Sequence, residues 1–158
     1  MTFRFATEAD TPLILQFIRD LAAYEKMLDQ VVADEALLRQ QLFEKQQAEV
    51  VFALEDGKEV GFALFFHNFS TFLGRSGLYL EDLFVLPEHR GKGYGKGLLA
   101  ELASIAVERG YGRMEWSCLD WNRPSIDFYR SLGAVPMDEW TVYRLTGDTL
   151  NDLAKATD

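Results

Sequence analysis

The chain has 158 residues, 48% hydrophobic and 13% aromatic, enough to bury the core of one α/β or α+β domain and too few for a second folded domain. Its 16 Lys and Arg against 25 Asp and Glu give a formal net charge of −9, which repels a phosphate backbone and favours a cationic partner, so no nucleic acid is expected. The single cysteine, Cys118, excludes an intramolecular disulfide, His67 and His89 alone make no zinc-type cluster, and no stretch approaches the ~20 apolar residues of a membrane span. A soluble cytoplasmic protein without a metal or membrane partner is the expectation.

"TFRFA" alternates and predicts a first strand. Asp10 or Thr11 then caps a helix with Pro12 in its first turn, its apolar face made by Ile14, Phe17, Ile18 and Leu21, with Tyr24 and Glu25 near its end. Asp34 offers a second cap, before a short amphipathic helix carrying Leu37, Leu38, Leu42 and Phe43. "AEVVFALEDGKEVGFALFFHNF" reads as two antiparallel strands joined at Asp56-Gly57, a strong hairpin signal.

"GLYLEDLFVL" predicts a further strand, with Tyr79, Glu81, Leu83 and Val85 facing one way and Leu80, Asp82, Phe84 and Leu86 the other. Two carboxylates inside so apolar a strand are costly unless used or paired. They belong either to a reaction or to a buried ion pair with Arg75 or Arg113. Pro87 closes this strand, and Leu98, Leu99, Leu102, Ile105 and Ala106 draw a helix ended by Gly110. "RMEWSCL" is another strand, with Cys118 as a small core residue at its end. "DWNRPSIDFYRSLGA" is a helix with Asn122 as a natural N-cap and Pro124 in its first turn; Ile126, Tyr129 and Leu132 share a side, so Tyr129 reads as a core residue by position alone. "EWTVYRLT" predicts a last strand, and the chain ends in a short polar tail after Leu153. This order gives an α+β fold in one domain, residues 1–158, rather than a doubly wound parallel sheet.

"PEHRGKGYGKGLL" sets Gly91, Gly93, Gly95 and Gly97 at alternate positions between a strand and a helix, interleaved with Arg90, Lys92 and Lys96. Unsatisfied N–H groups at a helix start and the positive end of its dipole form an anion cradle, and glycines let a phosphate approach. Gly95 and Gly97 each weaken the first turns of the helix by up to about 1 kcal/mol, which a plain solvated turn does not require. The spacing has neither a P-loop ending nor a good dinucleotide fingerprint.

"RGKGYG", Arg90 to Gly95, matches the R/Q-x-x-G-x-G/A acyl-CoA motif of the GCN5-related N-acetyltransferase (GNAT) superfamily. With "AYE" at 23–25, "YLEDLFV" at 79–85 and "WNRPSIDFYRSLGA" at 121–134, the chain resembles the branch containing the spermidine/spermine and thialysine N-acetyltransferases. The resemblance implies a mixed, mostly antiparallel sheet with helices on both faces and two parallel strands, ending near Val85 and Cys118, that splay to admit acetyl-CoA. It implies that the backbone of Leu83, Phe84 and Val85 holds the pantetheine arm and acetyl group. The backbone of Arg90, Gly91, Lys92, Gly93, Tyr94, Gly95 and Lys96 would hold the pyrophosphate, and Asn122 and Ser125 would touch the cofactor further along.

By the same resemblance Tyr129 is the general acid for the departing thiolate and Glu81 the carboxylate that takes the amine's proton, directly or through water. Tyr24, Glu25, Glu81 and Asp82 fall where the acceptor is bound, although Tyr24 and Glu25 would otherwise be a solvated helix end. The activity implied is acetyl transfer from acetyl-CoA to a primary amine of a small cationic substrate, by a homodimer. A protein N-terminal or lysine acetyltransferase, or a non-catalytic acyl-CoA-binding module, is the alternative. The polyamine enzymes carry an acidic residue in the loop that here reads "HNFSTFLG", with Asn68, Ser70 and Thr71 but no carboxylate, which favours a shorter amine over spermine.

Overall fold

The computed structural model describes residues 1–157, and contacts divide the chain into two compact units, Met1–Leu119 and Asp120–Asp158. The first unit is a five-stranded sheet in the order β1-β2-β3-β4-β5. Strands β1 (Thr2–Phe5), β2 (Glu49–Glu55), β3 (Lys58–Ser70) and β4 (Arg75–Val85) pair antiparallel, and β5 (Met114–Trp116) runs parallel to β4. The hairpin between β2 and β3 turns on Asp56 and Gly57, both at positive φ (51° and 77°), as a two-residue turn that follows the strand twist requires.

Helix α1 (Thr11–Tyr24) packs on one face of this sheet. Its Ile14 and Phe17 join Val50, Phe52, Phe62, Leu64 and Phe84 in the core, the Phe17 ring stacking on Phe62 at 5.2 Å between centroids. Helix α2 (Glu35–Arg39) continues into a π-helical turn, Gln40–Glu44, that adds Leu42 to the same core. Asp34 caps α2 as expected, its Oδ1 accepting from Leu37 N at 2.8 Å. At α1 the expectation fails: Asp10 stands at the N-cap, but its carboxylate accepts instead from Arg4 (2.8 Å) and Thr7 N (2.7 Å). The Thr11 hydroxyl donates to Glu8 O, so neither side chain caps the helix. Helix α3 (Tyr94–Glu108) buries Leu98, Leu99, Leu102 and Ile105 and also packs on the sheet, ending before Gly110 at φ 73°.

One irregularity changes the reading of β4. Leu64 pairs with Asp82 and Phe65 with Leu80, so Glu81 has no partner and forms a bulge. Opposed residues share a face while neighbours alternate, so the bulge separates Leu80 from Asp82 and Phe84, which the sequence alternation puts together. Asp82 and Phe84 stand on the face of Phe62 and Leu64; Leu80 is buried on the opposite face, with Phe65.

The second unit holds α4 (Arg123–Ser131), α5 (Gly147–Ala154) and a short 3-10 turn at Lys155–Thr157. Asn122 is the N-cap of α4, Pro124 lies in its first turn and Gly133 follows it at φ 91°. The expected last strand "EWTVYRLT" does not form: these residues have no regular structure or sheet partner, and Trp140, Val142 and Tyr143 are 76%, 80% and 91% exposed. A strand needs an edge to bond to, which alternation cannot supply. Of the polar tail expected after Leu153, Ala154 ends α5, Lys155–Thr157 form the 3-10 turn and Asp158 lies outside the described residues; β5 is shorter than "RMEWSCL", leaving half-buried Cys118 beyond it.

Candidate functional site

In the first unit three structural features converge on the end of β4. The first is an open strand edge. β5 pairs with β4 only at Leu78, Tyr79 and Leu80, facing Met114, Glu115 and Trp116, and the Tyr79 hydroxyl meets Ser117 Oγ at 2.9 Å just beyond. Among the described residues no strand other than β3 pairs with β4 from Glu81 to Val85; Val85 O accepts from Arg90 Nε at 3.0 Å, and the edge from Glu81 to Phe84 is open to an extended ligand. Leu83, Phe84 and Val85 lie on this edge, with Phe84 buried in the core and its neighbours half-buried.

The second feature is the glycine loop. Gly91 and Gly93 have φ 78° and 89°, where a side chain is strained, and Gly93 is the N-cap of α3. The first helical bond runs from Gly97 N to Gly93 O at 2.9 Å, so the N–H groups of Tyr94, Gly95 and Lys96 stand ahead of the helical ladder. Gly97 is small for a different reason: a Cβ there would collide with Met1 Sδ and stand 3.1 Å from Phe3 Cζ. Gly95 has neither constraint, since no protein atom lies within 4 Å of where its Cβ would be and its φ is not positive. Neither space nor φ requires glycine at 95, and the N–H groups ahead of the helical ladder form a cradle of the kind that suits an anion.

The sequence reading missed Glu55, which looks there like an ordinary hairpin residue. Its Oε1 is 3.3 Å from Lys92 Nζ, its Oε2 is 2.7 Å from His89 Nδ1, and it also accepts from the Tyr94 hydroxyl. Tyr94, then Lys92 and His89, hold its carboxyl below the usual range, while the same contact follows burial in pushing the Tyr94 phenol up. Glu55 thus fastens the loop at three residues from a neighbouring hairpin, and only the spatial register of β2 against the loop could have revealed it. Lys92 is held there too, while Lys96 is exposed.

The third feature is a set of carboxylates. Tyr24 is the last residue of α1 and Glu25 follows it. Burial, then the charges of Glu81 and Glu25, push the Asp82 carboxyl up to about 7; burial, then Glu81, raises Glu25. The ion pair considered for Glu81 and Asp82 is not made: Arg113 bonds to Glu115 at 3.1 Å, and Arg75 starts the far end of β4. Glu81 is exposed on its bulge. Asp82 and Glu25, both raised by burial and then by the charge of Glu81, suit a cationic ligand.

At the β3–β4 hairpin, Asn68 donates to Glu115 Oε1 of β5 (3.3 Å) and the Ser70 Oγ accepts from Leu73 N in the turn (3.2 Å), so both polar residues are used within the fold. Among the described residues no group of three His, Cys, Asp or Glu is placed to hold a metal ion, and no helix is long and apolar enough to cross a membrane.

In the second unit, buried Asn122 accepts from Ser125 N at 3.4 Å, the capping role its position suggests. No residue of α4 is buried, and Tyr129 is half-buried with its ring 5.6 Å from that of Phe128, so it is not a core tyrosine.

Two substitutions separate the glycine roles. Gly95→Val is expected to leave the thermal midpoint of the free protein near wild type and to abolish CoA binding by calorimetry. Gly93→Val is expected to lower the midpoint itself, because φ 89° strains any side chain. Asp82 gives a second prediction. Its raised pKa means the folded chain holds a proton that the unfolded chain has lost, so stability falls as pH rises from about 4 to about 7. Asp82→Asn is expected to raise the melting temperature at pH 8 and to change it little at pH 4.

The model of the acetyltransferase (GNAT) family matches residues 15–134. The chain is 36% identical to a thialysine N-epsilon-acetyltransferase of Bos taurus, covering 96% of this chain and 95% of that protein. It is 34% identical to an L-ornithine N5-acetyltransferase of Arabidopsis thaliana, covering 96% and 87%. Among solved structures, an integron cassette protein from the mobile metagenome of V. cholerae superposes with a TM-score of 0.81 at 32% identity, covering 98% of both chains. The open edge of β4, the glycine loop before α3 and these matches agree: the chain belongs to the GNAT family of acetyltransferases.

Proposed function

We propose that this enzyme transfers the acetyl group of acetyl-CoA to a primary amine of a small dicationic substrate, a short diamine or a thialysine- or ornithine-like amino acid. The observation that carries the reading is the trio Glu25, Glu81 and Asp82 at the end of an open β4 edge that starts beside the glycine loop. The likeness to thialysine and ornithine acetyltransferases supports the same substrate class. When bound, acetyl-CoA supplies the activated thioester. The loop amides from Arg90 to Lys96 hold its diphosphate, and the free edge at Leu83, Phe84 and Val85 holds its arm; Asn122 and Ser125 are assigned contacts further along by their place in the matching segment.

An amine is protonated near neutral pH and must lose a proton before it can attack. Glu81 takes that proton, directly or through water, while Asp82 and Glu25 hold the second cation. Tyr129 protonates the departing thiolate, a role supported by its place in the segment 121–134 that resembles the family. No covalent enzyme intermediate is needed, because holding donor and amine together supplies much of the rate gain.

Thiol release from acetyl-CoA with a panel of diamines, polyamines, thialysine, ornithine and lysine tests this. Turnover with short dicationic amines above spermine is expected; no turnover and no CoA binding would sink it. Because a cationic amine needs ionised Asp82, kcat/KM for the amine is expected to rise with pH through about 7, and Asp82→Asn is expected to remove that rise. Glu81→Gln and Tyr129→Phe are each expected to lower kcat by about 10²-fold or more.

The working assembly is proposed to be a cytoplasmic homodimer. The exposed, unpaired apolar run at Trp140, Val142 and Tyr143 supports a second copy as its cover. Light scattering after size exclusion should give twice the 18.0 kDa chain mass, and Val142→Asp with Tyr143→Asp should give monomer. A monomeric wild type overturns the dimer; a dimer that survives both substitutions places its interface elsewhere.

A further inference from the structure

Arg90 opens the glycine stretch, where a cation is expected to reach for phosphate. Its side chain is engaged elsewhere. Nε donates to Val85 O at 3.0 Å, and the guanidinium carbon lies 5.1 Å from the ring centroid of Tyr24 and 5.1 Å from that of Phe84. One planar cation therefore links the end of α1, the end of β4 and the start of the loop. Its two aromatic partners differ in burial. Phe84 is 5% exposed and meets Phe17 edge-on at 6.4 Å, so the core holds it. Tyr24 is 39% exposed at the last position of its helix, where burial restrains the ring far less. Guanidinium is suited to this because it stays charged across the working pH range and stacks flat on aromatic faces. Glu25, the next residue, acts electrostatically on Asp82 and is itself raised by burial and then by Glu81.

We propose that Arg90 is a positioning residue whose side chain locks Tyr24 and Glu25 to the glycine loop, so that the loop which seats acyl-CoA also sets the amine site. The inference rests on the acetyltransferase reading above and divides the work of one residue. Its main chain belongs to the diphosphate cradle, and its side chain serves the amine. A phosphate-binding arginine is a different device, whose loss weakens acetyl-CoA in a salt-dependent way.

Steady-state kinetics on the intact chain separate the two. Arg90→Met keeps an apolar stem and removes the charge. It is expected to raise the amine KM about 5-fold, the value of one ring contact, while the acetyl-CoA KM moves by less than about 2-fold. Arg90→Lys restores a cation over the rings and is expected to recover most of the loss. Tyr24→Leu, at an exposed position that leaves the fold intact, is expected to raise the amine KM alike, and the double variant with Arg90→Met to be no worse than either alone, because both remove one contact. A rise confined to the acetyl-CoA KM, or full additivity of the two substitutions, overturns the inference. CoA titration of the wild type distinguishes the levels: no binding removes the acetyltransferase reading itself, whereas normal binding with either overturning result removes only the role of Arg90.

Discussion

The site depends on the short pairing between β4 and β5. Their parallel ladder ends at Leu80 and Trp116 while β4 runs on to Val85, so among the described residues no strand pairs with this edge of β4 beyond Leu80. An unpaired edge inside a fold is a liability unless something occupies it, since its amides and carbonyls need partners. The bulge at Glu81 begins where that ladder ends. It moves Asp82 and Phe84 to the face of the α1 core while leaving Glu81 exposed, so one irregular residue sets both the free edge and the orientation of the two carboxylates.

The loop that follows β4 is held from two sides by different chemistry. Glu55 reaches it from the β2–β3 hairpin through His89, Lys92 and Tyr94, and the Arg90 side chain fastens its beginning to Val85, Phe84 and Tyr24. Such fixing keeps the backbone amides pre-aimed, which reduces the ordering cost when an anion arrives. The four glycines are not equivalent. Gly91 and Gly93 are needed for backbone conformation and Gly97 for contact with Met1 and Phe3, while neither φ nor space requires glycine at 95.

Charge completes the picture. The chain carries a net −9, but overall charge steers a cationic amine without selecting it. Under the proposed function, selection falls to Asp82 and Glu25, half-buried beside the exposed Glu81, whose repulsion a bound cation would relieve. Asp82 is the most affected of these, because burial adds to the charges of Glu81 and Glu25. The loop with Asn68, Ser70 and Thr71 contributes no carboxylate, and Asn68 and Ser70 are committed to bonds within the fold.

Much of this was legible in the sequence because its signals are local. The hairpin at Asp56-Gly57, the cap at Asp34, the glycine loop before a helix and the Asn122–Pro124 helix start each depend on a few consecutive residues, and the family motif supplied the order of parts. What the sequence left undetermined is what depends on partners distant in the chain. Alternation predicted a strand at "EWTVYRLT", but a strand exists only where an edge accepts it. Alternation also mis-assigned the faces of β4, because a bulge is a two-strand event invisible in one strand. The grip of Glu55, the turn of Arg90 toward Tyr24 and the raised Asp82 likewise arise from residues that only folding brings together. The sequence by itself determined the glycine loop, the family and the elements up to α4, but not the end of the chain, where α5 forms and the expected strand does not; the tertiary structure decided which backbone groups stay unpaired and which charges meet, because both are properties of pairs rather than of residues.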